Sequence, residues 1–280
     1  MTVPVTVTAP RRVQDLQRAI ARLAVVHGST SGRLQALIAS VVLSQMLPDS
    51  AVKGGTGLKL RFGDRLTRAT PDLDTAFRGD LDVFEVELKA NLDAGWGPFS
   101  GKVKRVDPHI PGSGHVAYIM QPFRVSLTYQ GKAFAGVDVE VGFDELEATT
   151  RDAVEEEMSA EICALFVSLG LDIPRPVRVL PLHHQIAQKL HACTEPGSDR
   201  AHDLVDLQIM APRADRDLVA ITATRLFNFR RQQEWVSAAV TAGDGWETKY
   251  SAAADGLHVL ADVTSAAAWA NGYIEELRSL

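Results

Sequence analysis

Three segments in the first third of the chain carry hydrophobic residues at every third or fourth position, the spacing of an amphipathic helix. They are residues 12–27, 32–47 and 81–92. Between the last two, residues 52–63 contain a glycine pair that interrupts the chain before a short run of helical character. The pattern therefore predicts three long helices and one short helix in this region.

Strands are predicted where hydrophobic and polar residues alternate. Residues 70–79 alternate in this way, and residues 102–106 indicate a further short strand. Residues 123–129 and 137–141 alternate on either side of Gly131, so they predict a hairpin with one buried face.

Beyond residue 152 the pattern is almost wholly helical, apart from residues 174–182, which favour one more strand. The order of elements predicts an α+β protein. We expect residues 1–180 to form a small mixed sheet with helices and residues 181–280 to form a helical part. The two parts would make a bilobed molecule with a central cleft.

The composition narrows the class of protein. The chain has 280 residues, and its two cysteines, Cys163 and Cys193, are too few for a secreted disulfide framework and fit a reducing cytoplasm. No apolar stretch approaches the roughly 18 residues of a membrane span. The N-terminus also lacks the charged and apolar regions of a signal peptide. We therefore expect a soluble, cytoplasmic protein with no membrane partner.

The overall charge of −6 does not favour a general nucleic-acid binder, since such proteins usually carry a basic surplus. Basic residues are nevertheless concentrated in three stretches, residues 11–33, 53–68 and 225–231. This distribution leaves open either a local basic cleft on an acidic body or ordinary solvated arginines.

Asp72 and Asp74 are the central candidate residues. In a strand they point to the same face, while Leu73 points to the opposite face and into a core. Two neighbouring carboxylates repel each other unless a cation lies between them, and hard oxygen ligands suit Mg²⁺ or Mn²⁺. Such metals stabilise phosphoryl transfer. The alternative is an acidic pair that is simply solvated.

The glycine pair Gly54 and Gly55 precedes this strand by about seventeen residues. Glycines allow the backbone to approach a triphosphate, and a following helix would present free N–H groups to an anion. The spacing matches neither a Walker loop nor a Rossmann fingerprint. An ordinary glycine turn is the alternative.

A second group of charged residues lies in the helical half. Lys189 falls beside the apolar stripe of one predicted helix, and Asp203 falls on the apolar side of the next, with Asp206 at its edge. A carboxylate in that position requires a cation, and Lys189 and Arg200 are the nearest in sequence. The group is therefore either part of a site or a salt bridge that joins two helices.

Histidines are also dense here, which raises the question of zinc. They are His183, His184, His191 and His202, with Cys193 nearby. No paired zinc-ligand spacing is present. We expect His184 and His191 to lie on a solvated helix face.

Four segments, taken in order, resemble the AbiEii/MenT family of nucleotidyltransferase toxins in the polymerase-β-like superfamily. They are KGGTGLKLRFG (53–63), RATPDLD (68–74), QIAQKLHA (185–192) and DRAHDLVDL (199–207). In that family they correspond to a glycine-rich motif, a [ST]xDxD strand, an IAxKL helix and an RxxDLxDL helix. The motifs cover about residues 52–210, and nothing specific marks the last seventy.

The resemblance implies that Asp72 and Asp74 hold the catalytic metal, Mg²⁺ or Mn²⁺. The superfamily often adds a third carboxylate from a neighbouring strand, for which Asp138 is the candidate; Glu140 shares its face.

The resemblance also implies nucleotide-binding residues and the acid of the last motif. Lys189 would neutralise phosphate charge, and Asp203 would be the motif acid, with Asp206 as its rival and Arg200 beside them. The superfamily commonly has Gly-Ser in the first motif, whereas this chain has Gly55-Thr56. The remaining nucleotide-binding residues would be Gly54, Gly55, Thr56, Arg68 and Thr70.

By this likeness the protein is a toxin of a type IV-like system, inhibited by a cognate antitoxin. It would transfer a nucleotide from an NTP to an RNA acceptor, the 3′ end of tRNA. Two alternatives stay open: a nucleotidyltransferase that modifies a protein or a small molecule, and a non-catalytic module that binds RNA or a partner.

Overall fold

A computed structural model describes residues 8–108, 120–150 and 154–280. The N-terminal residues 1–7, on which the expectation about a signal peptide partly depends, lie outside the described part. None of the helices that the structure describes is long and apolar enough to cross a bilayer.

The described residues form seven strands and ten α-helices. The strands are β1 (Ala51–Lys53), β2 (Asp72–Phe77), β3 (Phe99–Arg105), β4 (Gln121–Tyr129), β5 (Lys132–Phe143), β6 (Glu155–Glu157) and β7 (Val177–Val179). The helices are α1 (Val13–Val26), α2 (Ser31–Ser44), α3 (Gly54–Phe62), α4 (Leu81–Ala94), α5 (Ala160–Ser168), α6 (Leu182–Thr194), α7 (Ala201–Met210), α8 (Arg216–Arg230), α9 (Trp246–Ala254) and α10 (Val263–Arg278).

The predicted helices and the predicted hairpin are present, and α3 includes the glycine pair instead of following it. Two strands were not predicted, β1 and β6. Each has only three residues, which is too short for an alternating pattern to be recognised. The α+β prediction is confirmed by the mixed sheet and its surrounding helices.

The seven strands form one mixed sheet in the order β3-β4-β5-β2-β1-β7-β6. Strand β2 lies at its centre, parallel to β5 and antiparallel to β1. Strand β1 is in turn parallel to β7, and β3, β4 and β5 form an antiparallel meander.

One face of this sheet forms the core. Leu73, Val139 and Phe123 lie side by side on neighbouring strands and are almost completely buried. They belong to a hydrophobic cluster that includes the inner faces of α1, α2 and α4. Side chains alternate along a strand, so the neighbours of these three residues point to the opposite face of the sheet. Apart from Pro122, those neighbours are charged: Asp72, Asp74, Asp138, Glu140 and Arg124.

The described residues divide into two compact units. The first takes those of Met1–Asp64, Thr70–Asp144 and Glu155–Val179, and it contains the sheet. The second takes Arg65–Ala69, Leu180–Leu280 and the described residues of Glu145–Val154. Helices α6 to α10 belong to the second unit.

The expectation of a solvated histidine face on α6 is wrong. His184 is 8% exposed and His191 is fully buried, because α8 packs over that side of α6. The His191 ring lies 4.8 Å from the ring of Phe227. Burial lowers the pKa of both histidines to about 4, so both are neutral at pH 7. A helical projection cannot reveal a second packing neighbour, which only the tertiary structure supplies.

A buried ion cluster joins the end of α3 to the start of α2. Asp64 accepts hydrogen bonds from Lys59, which is 3% exposed, and from Nε of Arg33 at 2.9 Å. Burial alone would raise the pKa of Asp64, but the charges and hydrogen bonds of Lys59 and Arg33 outweigh it and lower the pKa. Folding therefore favours the charged form of the Asp64 carboxylate.

We predict that Asp64→Ala lowers the free energy of unfolding by about 3 kcal/mol, because the variant loses the carboxylate that pairs with the buried Lys59 and with Arg33. The pKa of Asp64 in the folded protein is below 3.8. The stability that its charge contributes is therefore complete above pH 3.8 and is lost as the pH falls below that value. Urea unfolding at pH 7 and pH 3 measures both effects. An equal difference between wild type and variant at the two pH values would contradict this prediction.

Candidate functional site

The polar face of the sheet carries the predicted metal ligands. Asp72 and Asp74 are partly buried there, whereas Leu73 and Thr75 are fully buried on the core side. In the parallel pairing of β2 with β5, Asp72 lies beside Asp138 and Asp74 beside Glu140. Residues paired in this way share a face. Two neighbouring strands therefore place four carboxylates on one side of the sheet.

This set of oxygen donors fits a hard divalent cation such as Mg²⁺ or Mn²⁺. Asp138, the predicted third ligand, forms an ion pair with Arg124 on β4. Within residues 8–108, 120–150 and 154–280, no three Asp, Glu, His or Cys side chains converge as a ready metal site. Mg²⁺ usually keeps several waters and phosphate oxygens alongside one or two carboxylates, so the Asp72 and Asp74 pair is a suitable partial ligand set.

The glycine pair lies directly against β2. A Cβ on Gly54 would lie 2.0 Å from Oδ2 of Asp74, and one on Gly55 would lie 2.9 Å from Cβ of Thr70. Gly54 also has φ +62°, a left-handed conformation that favours glycine. The first two residues of α3 must therefore be glycine for the helix to start beside the carboxylate pair.

The N-terminus of α3 is not capped by the side chain of Lys53, the residue before it. The first N–H groups of a helix point outward and favour an anion. Thr56 is buried, and its hydroxyl donates to the backbone oxygen of Asp72 at 2.8 Å. This bond ties α3 to β2; a contact between Thr56 and phosphate stays a prediction, as does one from Thr70.

In the second unit, Lys189 on α6 lies between the two aspartates of α7. Its Nζ donates to Oδ1 of Asp203 at 2.5 Å and to Oδ2 of Asp206 at 2.7 Å. Both aspartates are fully buried and Lys189 is 6% exposed. The sequence left open which of the two aspartates is the acid of the last motif, and Lys189 binds both of them.

Each aspartate also binds an arginine. Nε of Arg200 donates to Asp203 at 2.8 Å, and Nε of Arg68 donates to both oxygens of Asp206 at 3.1 Å. The group contains three cations and two carboxylates, so it carries a positive charge.

The lysine in this group stays protonated. Burial alone would lower the pKa of Lys189, but the adjacent charges of Asp203 and Asp206 outweigh burial and raise it. The same contact with Lys189, aided by Arg200, holds the pKa of Asp203 well below its usual range despite burial. Lys189 and Asp203 therefore both keep their charges at pH 7. It is a salt bridge between helices, and its catalytic roles stay predictions.

Sequence reasoning missed two residues on the polar face of the sheet. Arg124 pairs with Asp138, and Lys53 lies beside Asp74 in the register of β1 and β2. The alternation of the predicted hairpin already places Arg124 on the polar side of its strand. For Lys53, the sequence indicates only that it directly precedes the glycine pair.

Comparison with solved structures shows which class of protein has this fold. MenT4, a nucleotidyltransferase toxin from Mycobacterium tuberculosis H37Rv, is 19% identical, with a TM-score of 0.51 over 93% of this chain and 98% of that chain. JHP933 from Helicobacter pylori is 17% identical, with a TM-score of 0.42 over 87% of this chain and 89% of that chain. No functionally curated protein matches the sequence. The fold is that of a nucleotidyltransferase.

The family follows from the sequence match. The model of the nucleotidyl transferase AbiEii toxin family, type IV toxin–antitoxin system, matches residues 35–272. This chain belongs to that family, which confirms the resemblance drawn from the four motifs. It is a nucleotidyltransferase toxin, and the family implies an NTP substrate and an antitoxin.

We predict that Gly54→Ala reduces nucleotide transfer by at least about a hundredfold, because the new methyl group displaces the Asp74 carboxylate. Gly131→Ala is the matched control. It has the same kind of backbone strain, at φ +73°, but no atom lies within 4 Å of the added carbon. Urea unfolding should show a similar loss of stability in both variants, and only Gly54→Ala should lose activity. Equal activity in the two would contradict the prediction.

We predict that Lys189→Met lowers the free energy of unfolding by about 3–5 kcal/mol, because two carboxylates are left buried without their shared cation. Lys249→Met removes a surface pair with Asp199 and should cost less than about 1 kcal/mol. Since the folded pKa of Lys189 lies above 10.5, its contribution is complete below that pH and is lost only at higher pH. Urea unfolding of the two variants measures both losses of stability. Equal losses would contradict the prediction that the buried cluster contributes more than a surface ion pair.

Proposed function

We propose that this toxin transfers a nucleotide from an NTP to an RNA acceptor, the 3′ end of tRNA, in a reaction that requires Mg²⁺ or Mn²⁺. The reaction takes place in the cytoplasm, where NTP and tRNA are present, and a cognate antitoxin inhibits it. The observation that carries the proposal is the pair Asp72 and Asp74 on the open face of β2, with the glycine start of α3 against it.

The terminal ribose hydroxyl of the acceptor attacks the α-phosphorus of the NTP. A new bond forms between that oxygen and phosphorus, and the bond to the bridging oxygen of the β-phosphate breaks. Pyrophosphate leaves with the electron pair, and the hydroxyl proton passes to solvent. A divalent cation, when bound, would neutralise the charge that develops on the phosphate oxygens. No side chain has to form a covalent intermediate.

The first unit supplies the metal ligands and the phosphate contacts. Asp72 and Asp74 would hold the cation, and Asp138, which pairs with Arg124, would be the third carboxylate. The uncapped N–H groups at Gly54 and Gly55 bind a phosphate, because the helix start carries a partial positive charge. Thr56 is bonded to β2, and Thr70 fills the space that a side chain at Gly55 would need, so both support this segment.

The second unit supplies positive charge. Lys189 is protonated and binds phosphate oxygens, while Asp203 orients it and is the acid of the last motif. Asp206 holds Arg68, which adds a second cation for the nucleotide, and Arg200 fixes Asp203 from the other side. Held in place before the substrate arrives, such charges need little reorganisation during the reaction.

The test is incubation of the purified protein with total tRNA, Mg²⁺ and each labelled NTP in separate reactions. We expect label at the RNA 3′ end from at least one NTP, release of pyrophosphate, and loss of both on addition of EDTA.

Asp72→Asn and Asp74→Asn should each reduce transfer by at least about a hundredfold, because an amide binds the cation far more weakly than a carboxylate. Asp82→Asn, at an exposed position of α4, is the control and should keep full activity. Label on a protein or a small molecule in place of RNA would favour the alternative acceptors. If Asp72→Asn remained fully toxic in cells, a non-catalytic binding module would replace the enzyme.

A further inference from the structure

The polar face of the sheet extends beyond the carboxylates. The register runs from Asp72 on β2 to Asp138 on β5, then to Arg124 on β4 and Lys104 on β3. These four residues therefore form one row across four neighbouring strands. With strands about 4.8 Å apart, Lys104 lies about 14 Å from Asp72 along the sheet.

A second row lies beside the first. Gly136 on β5, Ser126 on β4 and Lys102 on β3 are paired in register, and all three are exposed. Lys102 and Lys104 are two residues apart on one strand, so their side chains leave the sheet about 6.7 Å from each other. Small residues beside the two lysines leave this part of the face flat and accessible.

Cations dominate this outer part of the face. Lys102 and Lys104 are exposed and form no ion pair with any of the described residues. Arg124 is 57% exposed at its side chain and lies between the lysines and its partner Asp138. The protein as a whole carries a charge of −6, so this cationic area is a local exception. The core face of the same strands is covered by the hydrophobic cluster and by α4.

We propose that the open face of β3, β4 and β5 binds the sugar-phosphate backbone of the acceptor RNA through Lys102, Lys104 and Arg124. This inference rests on the proposed function and adds the surface that binds the acceptor. Phosphates attract arginine and lysine, and this contact positions a nucleic acid without reading its sequence. Because the cations and the carboxylates share a face, RNA bound there has its end directed along the sheet toward Asp72 and Asp74.

Arg124 links RNA binding to the metal ligands. Its guanidinium is held by Asp138 in the free protein. A phosphate bound beside Lys104 competes for the same guanidinium, because arginine binds phosphate and carboxylate with the same planar geometry. Acceptor binding thus draws Arg124 away from Asp138, a carboxylate that would hold a divalent cation when one is bound.

The test compares two double variants that lose the same charge. Lys102→Gln/Lys104→Gln removes cations from the open face, and Lys89→Gln/Arg22→Gln removes exposed cations from α4 and α1, which pack on the core face. Binding of fluorescent tRNA and of a labelled 20-nucleotide RNA is measured by anisotropy at several salt concentrations. Urea unfolding checks that both variants keep the wild-type stability.

We expect Lys102→Gln/Lys104→Gln to weaken RNA binding about tenfold and to reduce the slope of log affinity against log salt by about 2, about 1 for each lysine. In transfer assays its KM for RNA should rise while its KM for NTP stays unchanged. The control should match the wild type in binding and in both KM values.

Two results would overturn the inference. The first is wild-type RNA binding and salt dependence in Lys102→Gln/Lys104→Gln. The second is an equal loss of RNA binding in the two double variants, which would indicate that overall charge alone matters. If instead the wild type transferred no nucleotide to RNA but did transfer it to another acceptor, the proposed function itself would fail.

Discussion

The pairing of β2 with β5 and β1 is the constraint on which the first unit depends. Strand β2 lies between these two partners, so its register cannot slip by one residue without exposing Leu73 and Thr75 to solvent. Burial of these two residues is therefore what holds Asp72 and Asp74 on the opposite face. The register of β2 with β5 places Asp138 beside Asp72, and that of β5 with β4 places Arg124 beside Asp138. The free energy that drives this arrangement comes from apolar burial, and the charged face follows from the alternation of the strand.

In the helical unit, two buried carboxylates are kept charged by adjacent cations. Two aspartates on one turn of α7 are fully buried, and neither could remain charged there alone. Lys189 bridges them, and Arg68 and Arg200 complete their hydrogen bonds. A buried network of this kind adds little net stability compared with an apolar core of the same volume, but losing one member is costly. Such a set of fixed charges is suited to binding a polyanion, and this physical reason supports its part in the proposed reaction.

The motifs and the fold class could be predicted from the sequence because they depend on the local spacing of residues. Asp72 and Asp74 are two positions apart, so any strand places both on one face. The apolar spacing along α1, α2 and α4 likewise indicates helices without reference to the rest of the fold. The predicted hairpin around Gly131 was recognisable for the same reason. Strands β1 and β6 were not, since three residues contain too little pattern, and β1 is formed mainly by its pairing with β2 and β7.

What the sequence determined by itself is the set of chemical groups and their local direction: a carboxylate pair on a strand, a glycine pair before a helix, and a lysine and two aspartates on successive helices. The tertiary structure decided which groups meet. It brought Gly54 against Asp74, joined Lys189 to both aspartates, paired Asp138 with Arg124 and buried His191 under α8. The physical reason is that local spacing fixes the direction of a side chain relative to its own element, whereas its neighbours depend on how distant segments pack together.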